Sequence, residues 1–330
     1  MNIHDSSKPY FLITIDTEGD NLWEGRANIG VDNARFLPRF QELCEKHGLK
    51  PVYLTDYEMA CCGVFQDFAK DVLKRGAAEI GMHLHAWNSP PEYRLTDDDA
   101  LARPYLIEYP LHIMRKKIDY MTKLLQDIFQ MPIRSHRAGR WAFNNFYARC
   151  LVEHQYTVDC SVTPLVSWTL HKGDPAQKGG SDYSRFPQDA YRLNIDDISK
   201  PGNAPLLEVP VTVVCPRRWM RRLAPSWLYK NRIVAMLINY CCPVKWLRPT
   251  GTNLESMLEV LDAALAERRD YVEFMLHSSE LMPGGSPTFR TPAHIEKLYD
   301  DLEILFAAAQ EKFRGGTLQD FNGWFLQQKA

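Results

Sequence analysis

Apolar runs that break abruptly into short clusters of charged or imidazole side chains recur along this chain. Tyr10-Phe11-Leu12-Ile13-Thr14-Ile15 breaks into Asp16-Thr17-Glu18-Gly19-Asp20, and Ala78-Glu79-Ile80 leads into Gly81-Met82-His83-Leu84-His85-Ala86-Trp87. Pro132-Ile133 runs into Arg134-Ser135-His136-Arg137-Ala138-Gly139-Arg140, and Tyr271-Val272-Glu273-Phe274-Met275-Leu276 ends in His277. Runs of this length fit strands buried on both faces. The pattern predicts strands near residues 10–15, 50–55, 77–82, 132–136, 156–162, 205–213 and 271–276. Between them lie stretches of helical period. Residues 34–47 place Phe36, Phe40, Leu43 and Cys44 on one face before the helix stop Gly48, and residues 99–129 carry Leu111, Met114, Ile118, Met121, Leu125 and Ile128 at spacings of three and four. Residues 253–268 and 291–311 read the same way, with Asn253 or Thr252 and then Thr291 as caps.

Strands alternating with helices imply right-handed crossovers and a parallel sheet, hence an α/β fold. About seven strands, with no glycine-rich G-x-G-x-x-G turn after the first, favour a distorted (β/α) barrel over an open nucleotide-binding sheet. The whole chain, 1–330, reads as one barrel domain with insertions near 169–197 and 215–250. The first insertion is rich in Gly, Asp, Ser and Pro. The second has no acidic residue from Cys215 to Thr250, while Arg217, Arg218, Arg221, Arg222, Lys230, Arg232, Lys245 and Arg248 interleave with Trp219, Trp227, Ile233, Met236, Leu237 and Trp246. Such a segment suits a membrane surface or a substrate bearing phosphate or carboxylate, or else a solvated helical cover on the barrel.

Composition narrows the field. With 45% apolar residues in 330, the chain can bury a large core, and a net charge of −2 gives no reason to expect a nucleic acid polymer as partner. Eight cysteines without framework spacing read as reduced thiols; Met1 to Lys8 is polar and the apolar run after it is broken too soon by Asp16 for a signal peptide or membrane span, so a cytoplasmic location is expected.

Polar groups clustered where parallel strands end are how such folds assemble active sites. Asp16, Glu18 and Asp20 lie two residues apart, and three carboxylates so close need a cation among them unless they form a solvated acidic turn. His83 and His85 at another strand end offer imidazole nitrogens, the alternative being core histidines bonded to backbone. Two histidines and one carboxylate make a recurrent ligand set for a catalytic zinc or similar ion. His277 suits a proton donor to a leaving group. Arg137 and Arg140 suit orientation of a carboxylate or stabilisation of negative charge, with surface salt bridging as the ordinary use.

In order and separation, Thr14-Ile15-Asp16-Thr17-Glu18, Glu79-Ile80-Gly81-Met82-His83, Arg137-Ala138-Gly139-Arg140 and Leu276-His277 resemble the motifs of the polysaccharide deacetylases, the NodB-homology superfamily, from about residue 10 to residue 285. The resemblance implies a distorted barrel of about seven strands and a divalent metal ion, most simply zinc. It implies Asp16 as catalytic base, His277 as general acid, Arg137 as the arginine that orients the base, and His83 as first metal histidine. Three departures matter. Thr17 stands where the family's metal carboxylate follows the base, so Glu18 must substitute, with Asp20 in reserve. Trp87 stands where the second metal histidine comes, so His85 must ligate from a differently shaped loop, leaving Trp87 to the substrate. Ala138-Gly139-Arg140 replaces the usual proline-aromatic pair, which puts Arg140 on the substrate floor and favours an anionic sugar. Asp159 falls where the family often has an acid beside the catalytic histidine, and it joins Trp87 and Arg140 as a substrate-side residue.

The implied activity is removal of an acyl group from an N-acetyl sugar of a bacterial surface polysaccharide, as a nucleotide- or lipid-linked precursor, with peripheral membrane contact through 215–250 and the inner membrane surface. Two rivals remain. One is a metal-free glycosidase using Asp16 with Glu208 or Glu280. The other is a carbohydrate-binding relative without turnover.

Overall fold

The computed structural model describes residues 8–20, 22, 29–171, 179–216 and 232–328. The chain gathers into two compact units, one of residues 1–83, 127–131 and 247–330 and the other of residues 84–126 and 132–246.

The first unit is organised by β1, Tyr10–Thr17, which is buried at every position. Its β-branched and aromatic residues suit a strand covered on both faces. β2 is Pro51–Thr55, β3 is Glu79–Leu84, and β10, Tyr271–His277, runs parallel to β1. The order β10-β1-β2-β3 is parallel throughout, and β11, Arg314–Gly315, adds a short parallel pair beside β1. The register sets Asp16 opposite His277, so two strand ends deliver their polar residues at one level. Inside the sheet the buried Glu273 carboxylate accepts the Thr14 hydroxyl at 2.7 Å, which offsets its desolvation. Helices Leu37–Lys46, Gly63–Lys74, Leu254–Ala266 and Pro292–Lys312 belong to the same unit. Phe306 on the last of them meets Phe11, Phe40 and Phe274 at centroid distances of 5.9, 6.1 and 5.5 Å.

The second unit carries β4, Ser135–Ala138, β5, Val158–Asp159, β6, Tyr191–Arg192, and β7, Leu207–Glu208. Here β4-β5-β7 are parallel, and β6 closes the edge antiparallel to β7. A separate antiparallel pair joins β8, Val213–Val214, to β9, Lys245–Trp246. All seven expected strands are thus present, and within each unit the pairs among them are parallel.

The helical pattern holds with local corrections. Residues 34–47 become a 3-10 turn, Asp32–Phe36, and the helix Leu37–Lys46, ended by Gly48 at φ +66°. Thr291 caps Pro292–Lys312 by accepting the His294 amide. Asn253 occupies the N-cap of Leu254–Ala266 but turns its side chain back to the Thr250 amide and the Arg248 carbonyl. The stretch 99–129 is three pieces, Asp99–Ala102, Leu106–Glu108 and Leu111–Phe129, because Pro104 and Pro110 each remove an amide donor. No disulfide joins the cysteines among the described residues. In the two expected insertions, residues 172–178 and 217–231, with Arg217, Arg218, Trp219, Arg221, Arg222, Trp227 and Lys230, lie outside the described residues.

Candidate metal centre

β1 continues to Thr17, so Asp16 is still strand and Glu18 begins the loop. Glu18 is then pinned from several sides. Its amide donates to Ser278 Oγ at 3.1 Å, and its carbonyl accepts Asn33 Nδ2 at 2.9 Å. The next amide, of Gly19, donates to Asp56 Oδ2 at 3.2 Å. Burial raises the Asp56 carboxyl well above the ordinary range, Glu58 and Glu18 push the same way, and the Met59 and Gly19 amides only partly offset them. Asp20, the reserve ligand, is occupied otherwise. Its oxygens accept the Asp32 amide at 3.0 Å and Asn33 Nδ2 at 2.8 Å, closing the loop.

One donor atom each from Glu18, His83 and His85 lie within 4.8 Å of one another, and all three residues are buried. His83 Nε2 stands 3.5 Å from Glu18 Oε2. Two ligands about 2.1 Å from a tetrahedral ion stand about 3.4 Å apart, so this spacing fits two donors turned toward a shared cation. A carboxylate and two imidazoles are also the donor types that zinc takes in catalytic sites, with a coordination position left for water or substrate. The residues therefore fit a divalent ion.

The loop that carries His85 has a shape of its own. A Cβ added at Gly139 would meet His85 Nδ1 at 2.6 Å and the Leu84 carbonyl at 2.5 Å, so the His85 ring occupies the space a side chain at 139 would fill. Trp87 lies against the same ring, with centroids 4.5 Å apart.

His277 completes the cluster in the first unit. Its Nε2 lies 3.7 Å from Asp16 Oδ2 and 3.6 Å from Glu18 Oε1. Its Nδ1 lies 3.2 Å from Glu280 Oε2 and 3.1 Å from Arg248 Nη2, and its amide donates to Glu280 Oε2 at 2.9 Å. Burial and the Arg248 guanidinium push the ring toward neutrality, but Glu18 and Glu280 outweigh them and its pKa ends above the ordinary value. Burial raises the Glu280 carboxyl, yet Arg248 and His277 outweigh it and leave its pKa below the ordinary value. Arg248 donates to Glu280 Oε1 at 3.2 Å, so the three form one charged group.

In the second unit Arg137 is fully buried, donates from Nε to the Cys160 carbonyl at 3.1 Å, and lies 5.0 Å from the Trp141 ring. Surface salt bridging is thereby excluded as its use. Arg140 is exposed. Asp159 is fully buried, and its Oδ1 bonds His136 Nδ1 at 2.5 Å and accepts Ser161 Oγ at 2.9 Å, while the acid beside His277 is Glu280. His136 Nε2 in turn meets the Tyr147 hydroxyl at 2.8 Å. Glu280 was legible three residues after His277 as a reciprocal cap. Asp56, Asn33 and Ser278 gave no comparable signal.

No family model matches the chain, and no curated protein matches it either. Solved structures do resemble it. A glycoside hydrolase/deacetylase assignment from Parabacteroides distasonis aligns with a TM-score of 0.61 and 11% identity, covering 97% of this chain and 72% of that one. A polysaccharide deacetylase assignment from Mycobacterium smegmatis aligns at 0.54 with 12% identity, covering 100% and 94%. A 4-alpha-glucanotransferase from Thermococcus litoralis aligns at 0.53 with 12% identity, covering 96% and 40%. At these identities the likeness shows the fold alone, a distorted (β/α) barrel. The third name shows that this fold carries other chemistries, so activity must be argued from the residues.

Proposed function

We propose that this protein is a metal-dependent hydrolase that removes the acetyl group from an N-acetylated sugar. Its substrate belongs to bacterial surface polysaccharide synthesis, in nucleotide- or lipid-linked form. The observation that carries the reading is the buried Glu18, His83 and His85 donor set with Asp16 and His277 beside Glu18. Glu18, His83 and His85 would hold a divalent ion, most simply zinc, which would supply Lewis acidity and lower the pKa of water. Asp16 accepts the proton of the attacking water. His277, with its raised pKa, holds a proton at Nε2 to give to the departing nitrogen, and Glu280 steadies the charged ring at Nδ1. Arg137 orients the base, while Trp87 and Arg140 face the sugar.

The glycosidase alternative needs a protonated carboxyl as acid. Glu280, held ionised by Arg248 and His277, is poorly suited to that role. Acetate release from N,N′-diacetylchitobiose and from UDP-N-acetylglucosamine tests the proposal. Release is expected to stop with a chelator and return with zinc; release indifferent to chelation refutes it.

No helix among the described residues is long and apolar enough to cross a membrane. Peripheral contact through 215–250 is a separate part of the proposal, supported by the helix Arg232–Cys241, where Ile233 is 70% and Tyr240 86% exposed with Met236 and Leu237 beside them. Ile233→Asp with Leu237→Asp is expected to abolish co-sedimentation with anionic phospholipid vesicles. Co-sedimentation unchanged by the pair of substitutions refutes it.

A further inference from the structure

The second unit holds an aromatic group that the proposed chemistry leaves unused. Trp141, Trp168 and Trp246 come from three distant parts of the sequence, and their ring centroids lie 6.4–6.5 Å apart in every pairing. All three are half-buried. Large apolar surface clustered in partial exposure marks a binding surface.

The backbone beneath them is strained. Arg140 and Trp141 are consecutive residues at φ +52° and +60°, a region costly for side chains of this size. Strain of this kind persists where the surroundings hold a residue in place for function. The Arg140 guanidinium lies 5.5 Å from the Tyr105 ring, whose hydroxyl donates to the carbonyl of His171, the ring neighbour of Trp168. Among the described residues no carboxylate pairs with Arg140, and the side chain is exposed. Its charge also reaches His171, whose ring lies 5.2 Å from Trp168: burial lowers the His171 pKa and Arg140 lowers it further.

We infer that Trp141, Trp168, Trp246 and Arg140 form a subsite for a sugar ring that carries an anionic group. Indole faces cover the apolar C–H face of the ring, and the guanidinium takes the phosphate or carboxylate in charge-assisted hydrogen bonds. The turn Gly139-Arg140-Trp141 ties this subsite to His85, against which Gly139 packs. The inference deepens the deacetylase reading by naming the substrate class, and rests on it for the role of the sugar.

Calorimetric binding to the full chain in the presence of a chelator tests it without turnover. The probes are N-acetylglucosamine 1-phosphate, a glucuronic-acid-containing disaccharide, and uncharged N,N′-diacetylchitobiose. Whichever anionic probe binds tighter tells phosphate from carboxylate as the source of the charge. At least one is expected to bind about tenfold more tightly than the neutral probe. Arg140→Gly is expected to erase that preference and at the same time raise the melting temperature, because glycine relieves the positive φ. A merely structural arginine gives the opposite pair: lower stability and unchanged preference. Trp168→Ala is expected to weaken all three probes about tenfold. Equal affinity for charged and neutral probes, or a preference that survives Arg140→Gly, overturns the subsite. If no acetate is ever released but the preference behaves as described, the subsite stands and the hydrolase reading falls; acetate release without the preference gives the reverse.

Discussion

Asp16→Asn is expected to lower kcat about 10²- to 10⁴-fold while the bound ion stays in place. The amide keeps the shape of the carboxylate but cannot accept a proton at neutral pH. Asp16 is buried, sits opposite His277 in the strand register, and lies 3.7 Å from its Nε2. It stands outside the group of donors formed by Glu18, His83 and His85. On the proposed reading these facts favour a base over a ligand. A base lost leaves ion content at the wild-type level and removes turnover, whereas a ligand lost removes both. Parallel measurement of kcat and of ion content by elemental analysis distinguishes them, and a fall in ion content reassigns Asp16 to the metal.

Gly139→Ala is expected to weaken the affinity for the divalent ion about 10- to 100-fold, a loss of the size seen when a group that orients a metal ligand is changed. A single methyl suffices because its carbon would lie 2.6 Å from His85 Nδ1 and 2.5 Å from the Leu84 carbonyl. Neither neighbour can yield without moving the imidazole, since the carbonyl is backbone at the end of β3. The conformation itself is open to alanine, as Gly139 is absent from the positive-φ residues, so space alone carries the effect. Zinc affinity measured beside the melting temperature checks it. Wild-type affinity in the variant shows that His85 does not need this space to ligate.

The Gly139 contact also explains how the departures from the family pattern belong together. A histidine two residues after His83, in place of one four residues after, brings its ring to the backbone of the Arg137 loop, and a residue without a side chain there makes room for it. From sequence alone, His85 and Gly139 read as two unrelated exceptions. The strands were legible because uninterrupted apolar runs such as Tyr10–Ile15 and Tyr271–Leu276 leave few alternatives to a doubly covered strand. Glu18, His83 and His85 were legible because each sits where such a run stops. The bond between Asp159 and His136 was not legible, since His136 lies one residue before the motif arginine and carries no separate signal. Arg248 was read as one cation of a basic segment, while its actual partners, His277 and Glu280, lie about thirty residues on. The tryptophan group was invisible for the same reason: residues 141, 168 and 246 share no local pattern and meet only through the fold. Short strands such as Val158–Asp159 also fell within longer expected ones, because burial continues where ladder hydrogen bonding ends.

Zinc titration of the metal-stripped protein, followed by calorimetry, tests the metal centre most directly. The expected result is tight binding of one ion per chain, with Glu18→Ala, His83→Ala and His85→Ala each sharply weakening it and Asp20→Ala leaving it unchanged. A wild-type chain that takes up no zinc, manganese, cobalt or nickel, or that binds zinc equally well without Glu18, His83 and His85, contradicts it.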